Sequence, residues 1–211
     1  MSLQRTAEPE LMEDMEQARA YAYADFEQPH NHFIELLKNS IGNDLPESGK
    51  AIDLGCGAAD ISIRFARVFP NYEIDAIDGS EAMLAEGKKA INTVALDQRI
   101  NLIRKYLQET TLSAQEYDLI FSNSLLHHLH EPMVLWNSIE SANGNPLIFI
   151  MDLMRPESNE AVDRLVEEYA RNEPEILRRD FRNSLKAAFT PDEVVLQLCT
   201  AELNGLKVEV V

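Results

Sequence analysis

Cysteine is nearly missing from this chain. Cys56 and Cys199 are the only two in 211 residues, too few for a disulfide framework and without the spacing of a zinc site. A reducing, cytoplasmic setting and no bound metal are therefore expected. Long apolar runs are missing as well. No stretch reaches the length of a membrane span, and Met1 to Glu16 mixes charges where a signal peptide would be apolar. The chain is expected to be neither secreted nor in contact with a membrane. Basic charge is scarce: 19 Lys and Arg stand against 36 Asp and Glu, a formal net charge of −17. Such a surface repels phosphate backbones, so nucleic acid is not an expected partner.

Apolar residues at 45% and charged residues at 26% are near the averages for globular proteins and exclude a disordered or fibrous chain. No repeat, low-complexity tract or linker divides the sequence. We read residues 1–211 as one domain: N-terminal helices over 1–48, a ligand-binding core over 49–156, and C-terminal helices with a last strand over 157–211. The oligomeric state is left open, a homodimer included.

Between Lys50 and Leu153 apolar runs of strand length alternate with segments of helical period. That order builds an α/β fold with a doubly wound, mostly parallel sheet and helices on both faces. The expected strands are Ala51–Leu54, Tyr72–Asp78, Ile100–Arg104, Tyr117–Asn123 and Pro146–Leu153, with Leu206–Val211 as a sixth. Ile61, Phe65, Val68 and Phe69 share one helical stripe, and Leu84, Ile91, Val94 and Ala95 another, the latter capped by Ser80. Leu11 to Ile41 reads as two helices separated by Gln28-Pro29-His30, the first carrying Tyr21, Tyr23 and Phe26. Ser158 and Thr190 are expected caps, and Thr190-Pro191-Asp192-Glu193 combines a capping box with a first-turn proline.

Right-handed crossovers in such a sheet leave a crevice at the carboxyl ends of the strands. The first strand enters it through Asp53-Leu54-Gly55-Cys56-Gly57, whose glycines let backbone amides approach a ligand closely. A dinucleotide fingerprint would place a third glycine where Asp60 stands. A carboxylate there opposes a pyrophosphate, which disfavours an NAD(P)-dependent oxidoreductase. Asp78 closes the second strand about 20 residues onward, the offset at which ribose-binding acids sit. Two carboxylates around a glycine bend suit a ligand carrying an amino group, a sulfonium and a ribose diol.

Through Ala51-Ile52-Asp53-Leu54-Gly55-Cys56-Gly57, Ile77-Asp78-Gly79-Ser80-Glu81-Ala82-Met83-Leu84 and Tyr117-Asp118-Leu119-Ile120-Phe121-Ser122-Asn123, the chain resembles the class I S-adenosylmethionine-dependent methyltransferases. The match runs from about Lys50 to Pro156. Leu125-Leu126-His127-His128-Leu129-His130-Glu131-Pro132 is similar to the segment after strand four in small-molecule members. The resemblance implies methyl transfer from S-adenosyl-L-methionine, with S-adenosyl-L-homocysteine released, to a small-molecule acceptor through an oxygen, nitrogen or carbon nucleophile. It implies that Asp53, Gly55, Cys56 and Gly57 surround the methionine portion, that Asp78 and Gly79 hold the ribose, that Met83 packs near adenine, and that Asn123 sits beside the sulfonium.

Two departures stand out. Lys105-Tyr106-Leu107-Gln108 replaces a Gly-Asp pair whose acid reaches adenine in many relatives, which leaves the backbone of Tyr106 and Leu107, or the Gln108 amide, to recognise the base. The resemblance also implies a seventh, antiparallel strand after the sixth, and no residues follow Val211 to form it. A truncated or nonstandard sheet edge is expected. His127 and His128 are candidate bases, because a neutral imidazole accepts protons near pH 7. Tyr21, on a helix expected to close over the crevice, and Arg155 are candidate substrate contacts. Arg178, Arg179 and Arg182 read as a solvated face balanced by Glu173, Glu175 and Asp180. Ser122-Asn123-Ser124-Leu125 stands where adenine or glutamine methylation calls for an Asn-Pro-Pro-Tyr type of motif. A non-catalytic module that binds S-adenosylmethionine is the other reading these residues allow.

Overall fold

A computed structural model describes residues 3–9, 11–112 and 116–211. The chain groups into two compact units, each assembled from separated stretches. One takes the described residues of 12–123 with 141–151, the other those up to 11 with 124–140 and 152–211.

The first unit holds a five-stranded sheet of β1 (Gly49–Leu54), β2 (Tyr72–Asp78), β3 (Ile100–Arg104), β4 (Leu119–Asn123) and β5 (Leu147–Met151). The order is β3-β2-β1-β4-β5 and every pairing is parallel, the doubly wound arrangement expected. Ala51, Leu119 and Phe121 are buried on one face with Phe33 and Phe65. The ring of Phe121 stacks on Phe65 at 5.0 Å. Ile52, Leu54 and Ile120, which alternate with them, are fully buried as well. A sheet buried on both faces explains why its strands read as continuous apolar runs. The order reverses between β1 and β4, and the register aligns Asp53 with Ala76 on one side and Phe121 on the other. The carboxyl end of β1 therefore lies at the switch point where ligands bind in such sheets.

Around the sheet run α1 (Met15–Ala22), α2 (Glu27–Ile41), α3 (Asp60–Val68) and α4 (Glu81–Thr93). The break between α1 and α2 falls before Glu27, earlier than the expected Gln28-Pro29-His30. Pro29 sits in the first turn of α2, where a backbone N–H has no helical acceptor and a proline costs nothing. On α3, Ile61 and Phe65 are buried as expected, whereas Val68 is exposed at the helix end. Ser80 caps α4, its hydroxyl accepting from the Met83 N–H at 3.2 Å.

The second unit is built from α5 (Met133–Glu140), α6 (Asn159–Tyr169), α7 (Glu175–Ala187) and α8 (Pro191–Thr200). Val162, Val166 and Leu185 are its buried apolar cluster. Ser158 caps α6, and Thr190 and Glu193 form the anticipated capping box with Pro191 in the first turn. Leu206–Val211 is not a strand. Alternating apolar residues become a strand only where a neighbour takes up their backbone groups, and none pairs with this segment among the described residues. No described helix is long and apolar enough to cross a membrane.

Candidate functional site

After β1 the backbone turns sharply. Gly55 and Gly57 take positive φ values of +73° and +53°, and Ala59 follows at +63°. The bend is fastened to the end of β2, because the N–H groups of Gly55 and Cys56 both donate to the Ile77 carbonyl at 2.9 Å. The Gly57 N–H donates to Asp78 Oδ2 at 2.8 Å, and the Ser80 N–H to Asp78 Oδ1 at 2.8 Å. Asp78 thus orients the loop on one side and the start of α4 on the other. A Cβ on Gly57 would come within 3.0 Å of Met83 Cε, and one on Gly87 within 3.2 Å of the Ala58 carbonyl carbon. Glycine at 87, inside a helix, is what lets α4 approach the bend. Sequence reasoning passed over Gly87, although a helical glycine at this cost in propensity is itself a signal.

Asp53 is 1% exposed, and Ser62 Oγ donates to its Oδ2 at 2.6 Å. Burial pushes its carboxyl up to about 7, and the charge of Asp78 adds to the rise. Asp78 is also raised by burial, with the two backbone donors opposing. No basic side chain acts on either carboxylate among the causes of these shifts. Burial, then Asp53 and Asp78, hold the Cys56 thiol well above its ordinary value, so Cys56 fills space and is not a nucleophile.

Within this unit Asp53 lies in β1 and Gly55, Cys56 and Gly57 in the bend after it, Asp78 ends β2 with Gly79 following, Met83 lies on α4 beside Gly57, and Asn123 ends the adjacent strand β4. Tyr106 is exposed, with its carbonyl accepting from the Glu109 N–H and from Thr110 Oγ1, and Leu107 starts a short 3-10 turn. Tyr21 packs its ring on Phe26 at 4.7 Å. Asp60, where a dinucleotide site would have glycine, is bound by His30 Nδ1 at 2.6 Å and Arg64 Nε at 2.7 Å. Burial raises its carboxyl, but these hydrogen bonds outweigh it and hold Asp60 below its ordinary value.

In the second unit His127 and His128 lie on a 3-10 turn, Leu126–His128. The His127 side chain is 2% exposed, and its Nδ1 lies 2.5 Å from Asp152 Oδ1. Burial alone would lower its pKa, but Asp152 and then Glu8 hold it above the ordinary value. Burial and the neighbouring His127 push His128 down to about 3. Neither Glu8 nor Asp152 was singled out in the sequence, since nothing local ties them to the histidine pair. Arg155 is taken up internally: its Nη2 donates to Glu193 Oε1 at 2.6 Å and its Nη1 to the Ala188 carbonyl at 3.1 Å. Arg178, Arg179 and Arg182 face Glu167, Asp180 and Asp163.

The model of a methyltransferase domain matches residues 51–140, the stretch holding β1, the glycine bend, β2 and β4. Residues 51–140 are thus similar to a methyltransferase domain. Among curated relatives of this domain, malonyl-[acyl-carrier protein] O-methyltransferase 1 of Ilyobacter polytropus is 27% identical over 123 residues, which are 58% of this chain and 44% of the relative. The chain spans less than half the length of the curated relatives it matches. A solved S-adenosylmethionine-dependent methyltransferase of Aquifex aeolicus superposes with a TM-score of 0.66 at 19% identity, over 94% of this chain and 91% of that one. The plantazolicin methyltransferase BpumL, solved with S-adenosylhomocysteine, gives 0.59 at 17% identity, over 90% and 76%. At such identities the structures speak for the methyltransferase fold.

Proposed function

We propose that the chain binds S-adenosyl-L-methionine at the glycine bend and transfers its methyl group to a small-molecule acceptor in the cytoplasm. The observation that carries this reading is Asp53, a carboxylate buried beside a glycine bend without a basic partner among the described residues. A buried carboxylate is costly unless a cation or several donors meet it. The amino group and sulfonium of the proposed ligand are the cationic complement. Asp78 already receives two backbone N–H groups and keeps lone pairs for a ribose diol. Met83, beside Gly57, offers an apolar surface for a base. The cofactor supplies an electrophilic methyl; the protein's part is to hold an acceptor in line with it and keep water out.

Neither His127 nor His128 suits the base role expected of it. A general base works best with a pKa near the working pH. His128, at about 3, is too weak, and His127 is held toward its protonated form. The net charge of −17 supports a small acceptor over nucleic acid.

Calorimetry tests the reading directly. S-adenosylhomocysteine should bind the intact chain, Asp53→Asn and Asp78→Asn should each weaken it at least tenfold, and NAD(P) should give no heat. No binding at millimolar ligand by the folded protein would overturn it. Transfer of labelled methyl to a panel of small acceptors then separates an enzyme from a binding module.

A further inference from the structure

We propose that Glu8, His127 and His128 form a binding site for one divalent transition-metal cation, of which zinc is the type. Each of the three side chains offers one ligand atom, and these lie within 4.8 Å of one another. Glu8 Oε1 lies 3.6 Å from His127 Nε2 and 3.3 Å from His128 Nδ1. Tetrahedral zinc, with bonds of about 2.0–2.1 Å, sets its donor atoms about 3.3 Å apart. Two imidazoles and one carboxylate leave a fourth position open, and this mixed nitrogen and oxygen set favours zinc-like cations over calcium or magnesium, which take oxygen ligands.

Both Glu8 contacts are within ion-pair reach but longer than a hydrogen-bonded pair. Asp152 shows what a carboxylate paired with an imidazole looks like here, at 2.5 Å from His127 Nδ1. Glu8 stands farther from both rings, and His128 Nδ1, shielded from solvent, has no hydrogen-bond partner among the described residues. The side chains are withdrawn from water, at 9%, 2% and 20% exposure for Glu8, His127 and His128.

The surroundings orient the ligands as outer partners do in metal sites. Asp152 fixes the tautomer of His127 and turns its Nε2 toward Glu8. Ser184 Oγ donates to Glu8 Oε1 at 3.0 Å, and the His130 ring reaches the Glu8 carbonyl at 2.7 Å. The segment bearing Glu8 is itself secured by Arg5, whose guanidinium donates to the carbonyls of Ala187, His127 and Leu129 and covers the Phe189 ring at 4.0 Å. Once binding displaces the Nε2 proton of His127, the two imidazoles are neutral and the Glu8 and Asp152 carboxylates balance a charge of +2.

The site is independent of methyl transfer. The whole chain is stripped with a chelator, dialysed against zinc at micromolar concentration, and its metal content measured. Cobalt(II) is added in parallel for the visible spectrum of a four-coordinate centre. The expected result is one zinc per chain, a four-coordinate cobalt spectrum, and loss of that equivalent in His128→Gln and Glu8→Ala. Asp152→Asn should weaken binding about ten- to a hundredfold. Because His127 is almost wholly buried and its replacement can unfold the turn, the test uses the other variants, with folding checked by circular dichroism. No zinc uptake by the folded chain, or equal uptake in both ligand variants, would overturn the proposal.

Discussion

Asp53→Asn is expected to make the ligand-free protein more stable while crippling its binding site. In the folded chain the Asp53 carboxyl is pushed up to about 7 from an ordinary value of 3.8, chiefly by burial. Native Asp53 therefore keeps a proton that the unfolded chain has released. Its contribution to stability is fully present below about pH 4, declines between pH 4 and 7, and is flat above that. A difference of about 3 pH units corresponds to roughly 4 kcal/mol. Asparagine has the same shape, can still accept from Ser62 and cannot ionise. Urea unfolding of both proteins from pH 4 to 8.5 checks this. The two curves should meet near pH 4 and separate until about pH 7, with the variant ahead by up to about 4 kcal/mol at pH 8. S-adenosylhomocysteine should then stabilise the wild type and leave the variant nearly unmoved. Parallel pH curves, or a variant no more stable than the wild type at pH 8, would refute the account of Asp53 as an ionised group held in the interior at a cost.

Further outcomes follow from other contacts. Ser62→Ala removes the donor that lowers the Asp53 pKa, so the pH at which wild-type stability levels off should move upward in the same unfolding series. Gly87→Ala gains about 1 kcal/mol of helix propensity but drives a methyl against the Ala58 backbone. Calorimetry should find cofactor affinity reduced severalfold, with the melting temperature little changed. Thr190→Ala breaks the capping box of α8 and should cost about 1–2 kcal/mol in denaturant unfolding, with cofactor affinity preserved.

The core was legible because its strands are buried on both faces and its helices carry local caps. β2 and β3 fall on the expected residues, and β1 begins two residues earlier, at Gly49. β4 starts at Leu119, since Asp118 turns its side chain to the Lys50 N–H and Tyr117 sends its hydroxyl to Asp75. Ser80, Ser158 and Thr190 cap as read, because a cap reaches only three residues along the chain. What failed depended on distant partners. Leu206–Val211 has the alternation of a strand without a neighbour, and Pro29 looked like a helix break only while the start of α2 was unknown. Around the histidine pair, Glu8 and Asp152 are brought in by tertiary structure alone, and no spacing rule reaches that far.

The strand order leaves β5 at one side of the sheet, paired only with β4 among the described residues. Its residues read Leu-Ile-Phe-Ile-Met, with no charge inside the run. Such an edge is a template onto which a strand of another molecule can add. The surplus of acidic groups guards against this by keeping molecules apart, so the protection is electrostatic and weakens with salt. Near the isoelectric point of about 4.6 it is gone. Concentrated solutions are thus expected to self-associate there at acidities where Asp53, still protonated, favours the folded form.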